Sequence, residues 1–161
     1  MKGEETMNYE ELIRQAEALT ADCPFVMSNL ANIAALIWQE IPQINWAGFY
    51  ELRKEGLVLG PFQGKPACIL IPVGRGVCGT AVRDDRIQCV FNVHDFPGHI
   101  ACDGASSAEI VIPLHVNGKI WGVLDIDSPT KGRFSEADEK GLQKLSLVIE
   151  AFLAKGERPA H

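Results

Sequence analysis

Asn117-Gly118, set between two strand-length apolar runs, is the feature that most narrows how this chain can fold. Both residues tolerate the positive φ of a tight turn whose twist matches paired strands. Glu109–Val116 and Lys119–Ser128 are therefore predicted to form an antiparallel hairpin. Within Trp121-Gly122-Val123-Leu124-Asp125-Ile126-Asp127, alternation puts Asp125 and Asp127 on one strand face with Val123. Leu124 and Ile126 take the other face, and Glu109 starts the partner strand. Unpaired charge is costly to bury, so acids that end an apolar face mark either a solvated strand end or a polar pocket. Held close together, they push one pKa upward and yield a carboxylic acid able to donate a hydrogen bond.

The remaining segments fit around that hairpin. Leu12, Ile13, Ala16 and Leu19 fall on one face of a helix from about Tyr9 to Ala21, with Asn8 as its cap. Pro24 opens a second helix carrying Val26, Leu30, Ile33, Ala34 and Ile37, and Pro42 closes it. Trp46–Leu52 and Leu57–Phe62 read as strands joined by Arg53-Lys54-Glu55-Gly56. Trp46 and Tyr50 share a strand face, as core or as the wall of an apolar pocket. Cys68–Pro72, apolar on both sides, is expected to be a central strand. Gly74-Arg75-Gly76-Val77-Cys78-Gly79-Thr80-Ala81-Val82 reads as a glycine-rich turn into a short helix, and Ile87–Asn92 as another strand. His94–Ser107 has no periodicity, and a loop that long in a small domain usually serves function. Ser135 and Asp138 approximate a capping box for a closing helix with Leu142, Leu145, Ile149 and Phe152 on one face. Two N-terminal helices, a mainly antiparallel five- to six-stranded sheet and a C-terminal helix make an α+β fold.

At 161 residues, 47% of them hydrophobic, the chain is expected to be one domain over residues 1–161, its ordered core about 8–155. A net charge of −6 argues against a nucleic-acid partner and suits a small polar or cationic ligand. No apolar run approaches the ~20 residues of a membrane span, so no membrane partner is expected. Met1-Lys2-Gly3-Glu4-Glu5-Thr6 lacks the apolar stretch of a signal peptide, and a cytoplasmic location follows as an expectation. The N-terminal helices are expected to pack within the chain or against another copy in a homodimer.

Five cysteines, an odd number, argue against a structural disulfide framework. Cys102 lies in Gly98-His99-Ile100-Ala101-Cys102-Asp103-Gly104, where a loop thiol is either incidental or chemically employed. Cys68 alone is most simply a core residue, whereas Cys78, between Val77 and Gly79, is expected in a tight turn where glycines let the backbone approach something closely. Cys89 looks like strand filling and Cys23 like a helix-start residue. Cys68, Cys78, Cys102, His94 and His99 together suggest zinc, but no matched pair of ligand spacings accompanies them. No metal is expected.

Together these residues resemble the free methionine-(R)-sulfoxide reductases, a family built on a single GAF domain. The resemblance lies in Asn45-Trp46-Ala47-Gly48-Phe49-Tyr50, Ala67-Cys68-Ile69, Gly74-Arg75-Gly76-Val77-Cys78-Gly79-Thr80-Ala81, His99-Ile100-Ala101-Cys102-Asp103, Ser107-Ala108-Glu109-Ile110 and Gly122-Val123-Leu124-Asp125-Ile126-Asp127-Ser128. It implies that Cys102 is the nucleophile that takes the sulfoxide oxygen as a sulfenic acid. Cys68 would then resolve that acid as a disulfide, with Cys78 a second or subsequent partner and thioredoxin as the reductant. It further implies that Glu109, Asp125 and Asp127 hold the sulfoxide oxygen and the substrate ammonium. Trp46 and Tyr50 would shape the methyl wall, and backbone N–H groups around Ala101 and Cys102 would take the carboxylate. No cofactor is implied. A stand-alone GAF sensing module without catalysis would need no such set of thiols, and a thiol peroxidase would need no such set of acids.

Overall fold

The structure is a computed structural model, and it describes residues 6–98 and 104–156. Helix α1 spans Tyr9–Thr20, and its Asn8 cap accepts a hydrogen bond from the Glu11 N–H at 3.1 Å. Helix α2 follows over Val26–Glu40. Strands β1 (Trp46–Arg53) and β2 (Gly56–Gly64) form the first hairpin, and β3 is only Leu70–Ile71. Helix α3 (Gly76–Asp84), strand β4 (Gln88–Val90) and a 3-10 turn at Val93–Asp95 lead toward the long connection. The expected Asn-Gly hairpin joins β5 (Ala108–Val116) to β6 (Lys119–Ser128), with positive φ at both turn residues. Helix α4 (Glu136–Lys155) closes the chain behind a complete Ser135/Asp138 capping box.

The six strands form one antiparallel sheet in the order β3-β2-β1-β6-β5-β4. Its sides follow from strand alternation. Ala47, Phe49, Ile110, Ile112, Leu124 and Ile126 meet the apolar faces of α1, α2 and α4 in the larger core. Leu142, Leu145, Ile149 and Phe152 are all buried there, as their spacing predicts. The opposite face carries Trp46, Tyr50, Val111 and Val123, covered by Val77, Cys78, Ala81 and Val82 of α3. Both N-terminal helices pack within the chain, α1 against α4 and α2 against β1 and β2. Helices gathered apart from an antiparallel sheet make the expected α+β fold.

Three expectations need correction. Cys68–Pro72 is not a central strand: β3 is an edge strand paired to β2 through two residues, and Ile69 is 75% exposed. Cys78 lies not in a turn but in the first turns of α3, and the preceding glycines supply the bend that starts the helix. The strand expected over Ile87–Asn92 is shorter, at Gln88–Val90. The expected loop His94–Ser107 begins inside the 3-10 turn, and its residues 99–103 lie outside the described ones. Among the described residues, no helix is long and apolar enough to cross a membrane.

Candidate active site

Register on the α3 side of the sheet assembles the site. Trp46 of β1 pairs with Asp127 of β6, which pairs in turn with Glu109 of β5. One row across three strands thus carries an indole and two carboxyls. The next row in register is Gly48, Asp125 and Val111. At Gly48 a Cβ would lie 2.3 Å from the Phe62 Cβ, so only glycine lets that ring close over the strand. Phe62 stacks on Trp46 with ring centroids 5.1 Å apart, and Trp46 stacks on Tyr50 at 5.9 Å. These three rings form an aromatic wall. Its polar atoms hold the segment after β2: the Trp46 Nε1–H donates to the Lys65 carbonyl at 3.1 Å, and the Tyr50 hydroxyl donates to the Cys68 carbonyl at 2.9 Å.

Between this wall and α3 lies a cavity lined by Trp46, Tyr50, Cys78, Glu109, Asp125 and Asp127. It therefore gathers six of the predicted site residues. Of the others, Cys68 follows the lining residue Ala67 and its sulfur is disulfide-bonded. Cys102 and Ala101 lie outside the described residues. Cys78 is free and 3% exposed, and its Sγ donates to Glu109 Oε2 at 3.9 Å. Cys23 and Cys89 are also free thiols, placed away from the cavity lining. Cys89 sits on the edge strand β4 and donates to the Phe134 carbonyl at 3.6 Å. His94 is exposed and does not line the cavity.

Sequence reasoning missed Lys65, Arg75 and Ser106, which also line the cavity. Ser106 exchanges hydrogen bonds with the Asn45 side chain, tying the residues before β5 to the entry of β1. Arg75 was visible inside the glycine-rich segment, but nothing in its spacing aimed it at a pocket.

Electrostatically the site is an acid store. Burial pushes the Glu109 carboxyl well above the usual carboxylate range, and the charge of Asp125 beside it pushes further. Burial likewise raises Asp125, reinforced by the charge of Asp127. The acids thus hold protons well above the usual carboxylate range, as expected of like charges crowded in a dry place. Cys78 follows suit: burial first, then Asp125, Glu109 and Asp127, keep its thiol protonated. Asp125 Oδ1 is buried with no hydrogen-bond partner. The arrangement can donate a proton to a bound oxygen, attract a cation, and stack an apolar group against Trp46 and Tyr50.

Known proteins resemble this chain in sequence and in fold. The GAF domain family matches residues 24–153. The free methionine-R-sulfoxide reductase of Escherichia coli is 54% identical over 146 residues, which span 91% of this chain and 88% of that one. The structure of fRMsr of Staphylococcus aureus in complex with substrate superposes with a TM-score of 0.89 at 48% identity, covering 93% of this chain and 98% of that one. A free methionine-R-sulfoxide reductase from Neisseria meningitidis, also in complex with its substrate, gives 0.88 at 40% identity over 91% of this chain and 89% of that one. With a GAF match across most of its length and a curated relative this similar, the chain belongs to the free methionine-R-sulfoxide reductases, a family built on the GAF fold.

Proposed function

We propose that this oxidoreductase reduces free L-methionine (R)-sulfoxide to L-methionine by thiol chemistry at Cys102. The thiolate of Cys102 attacks the sulfoxide sulfur while the buried acid cluster protonates the oxygen. Methionine leaves, and the oxygen stays on Cys102 as a sulfenic acid. The Cys68 thiol then displaces that oxygen as water and forms a disulfide, which an external dithiol such as thioredoxin reduces. Cys78 is the second thiol in line, after Cys68.

One observation carries the reading: Cys68, disulfide-bonded, is anchored through its carbonyl to Tyr50, whose ring walls the acid-lined cavity. Redox sulfur and proton store therefore sit on one frame. Cys78 is held protonated among carboxyls, a poor state for attacking a sulfenic acid, which favours Cys68 as first resolver. Glu109, Asp125 and Asp127 suit the ammonium of a free amino acid, a charge that a peptide-bound residue lacks. Trp46 and Tyr50 would receive the methyl group, and backbone N–H groups at Ala101 and Cys102 the carboxylate.

The test supplies the protein and thioredoxin with the free (R)-sulfoxide, the free (S)-sulfoxide and a peptide-bound sulfoxide. Methionine should form from the free (R) epimer alone. Equal turnover of both epimers, or turnover of the peptide only, overturns the reading. Binding of the free sulfoxide without turnover would instead mark a sensing module.

A further inference from the structure

Cys78, Glu109 and Asp125 come from α3, β5 and β6, and each offers one ligand atom within 4.8 Å of the other two. All three are buried. Cys78 and Glu109 are 31 residues apart in sequence, so no local spacing motif announces the group. The second observation is independent of the clustering: Asp125 Oδ1 is sealed from solvent with no hydrogen-bond partner. Buried carboxylate oxygens are almost always satisfied, and one that is not points to a missing ligand.

We propose that Cys78, Glu109 and Asp125 form a binding site for a thiophilic divalent cation of the zinc or cadmium type, and that its occupancy excludes the sulfoxide substrate. Zinc binds sulfur at about 2.3 Å and carboxylate oxygen at about 2.0–2.2 Å, so tetrahedral ligands sit roughly 3.5 Å from one another. The 3.9 Å between Cys78 Sγ and Glu109 Oε2 needs only a few tenths of an ångström of adjustment. One sulfur and two carboxylates suit a borderline-soft ion and leave magnesium or calcium, which prefer shells of oxygen, at a disadvantage. On binding, the cation takes the place of the protons that the thiol and carboxyls otherwise hold. Cys78, Glu109 and Asp125 all line the same cavity as Trp46 and Asp127. An ion there consumes the carboxyls that would hold the substrate, and this consequence, unlike the binding itself, rests on the function proposed above.

The probe is cadmium, followed by its thiolate charge-transfer absorbance. The full chain carries Cys23→Ser and Cys89→Ser and is kept without reductant, so that Cys68 stays in its disulfide. One equivalent should bind with a thiolate band, and excess free methionine (R)-sulfoxide should displace it. Cys78→Ser should abolish the band, and Asp125→Asn should weaken affinity at least tenfold, since even an indirect partner of a metal costs that much. A band that survives Cys78→Ser overturns the site. Affinity unchanged in both Asp125→Asn and Glu109→Gln reduces it to a lone thiol and overturns it equally. Failure of the sulfoxide to displace bound cadmium overturns the exclusion. Asp125→Asn is isosteric, so the test holds even if Cys78→Ser does not fold. Cadmium binding to this protein, with no sulfoxide turnover by the cadmium-free, reduced protein supplied with thioredoxin, would sink the proposed function and spare the cation site; turnover by the reduced protein without cadmium binding would do the reverse.

Discussion

Glu109 and Asp127 are direct cross-strand partners on β5 and β6, two carboxyls facing each other across the floor of the cavity. Because Glu109 keeps its proton well above the ordinary carboxylate range, the pair is joined by a hydrogen bond rather than split by two opposed charges. Asp127 also adds to the upward pressure on Asp125. Asp127→Asn keeps the side chain's shape and a hydrogen-bonding partner for Glu109, so the fold should hold in urea unfolding at neutral pH. It should also lower turnover of the free sulfoxide by roughly tenfold or more, the worth of one charge-assisted hydrogen bond. Unchanged kinetics would return Asp127 to the role of a solvated strand end.

The raised carboxyls predict how stability depends on pH. Glu109 and Asp125 hold their protons more tightly folded than unfolded. As pH rises past the ordinary carboxylate range, about 4, the unfolded chain gives up those protons first. The folded state then binds more protons, so stability falls with rising pH until the folded values are passed. Glu109→Gln removes one of these groups. Urea midpoints from acid to neutral pH should show the variant gaining on the parent as pH rises. Asp138 contributes with the opposite sign: burial raises it, but hydrogen bonds from Tyr9 and Ser135 and the charge of Arg133 outweigh burial and lower it. Asp138 is common to both proteins and cancels in the comparison. A gap that shrinks with pH would contradict the protonated cluster.

Much of this site could be read before any coordinates. Asn117-Gly118 announced the β5–β6 hairpin, and the period of two alone puts Asp125, Asp127 and Val123 on one face; the irregularity between Leu114 and His115 that sets Glu109 opposite Asp127 had no signal in the sequence. Trp46 and Tyr50 were placed together by the same period of two. The apolar run at Cys68–Pro72 misled because hydrophobicity does not reveal a strand's position in the sheet. Ile69 and Leu70 are exposed on an edge, and only Ile71 is buried. Cys78 was misplaced because Gly74 and Gly76 signal a bend without saying that a helix begins at once. Lys65, Arg75 and Ser106 gave no periodic signal, since they approach the cavity from connections or helix ends.

The order of the thiols can be read from one turnover. Without external reductant, pre-reduced Cys102→Ser should release no methionine. Pre-reduced Cys68→Ser should release about one equivalent and stop, because its sulfenic acid has lost the first resolver. Peptide mapping of the parent after a single turnover should find Cys68 joined to Cys102. If Cys68→Ser loses the first release and Cys102→Ser keeps it, the two roles are exchanged.

The last prediction concerns the joint between α1 and α4, far from the chemistry. The Tyr9 hydroxyl donates to Asp138 Oδ1 at 2.6 Å, and the same carboxylate takes the Ser135 N–H at 2.8 Å and Arg133 Nη1 at 3.1 Å. With its hydroxyl tethered, the tyrosine ring lies flat on Gly141, where a Cβ would fall 2.2 Å from the ring's Cγ. In an open helix, Gly141→Ala would stabilise by about 1 kcal/mol. Here the methyl must displace a ring held at both ends, a misfit that costs about 1–3 kcal/mol. Urea unfolding should therefore show Gly141→Ala neutral to destabilising, against the helix scale. In the Tyr9→Ala background the same substitution should recover its stabilising sign, giving a coupling of about 1 kcal/mol or more in the double-mutant cycle. A stabilised Gly141→Ala single variant would show that the tether is loose, and that α1 docks on α4 by its apolar face alone.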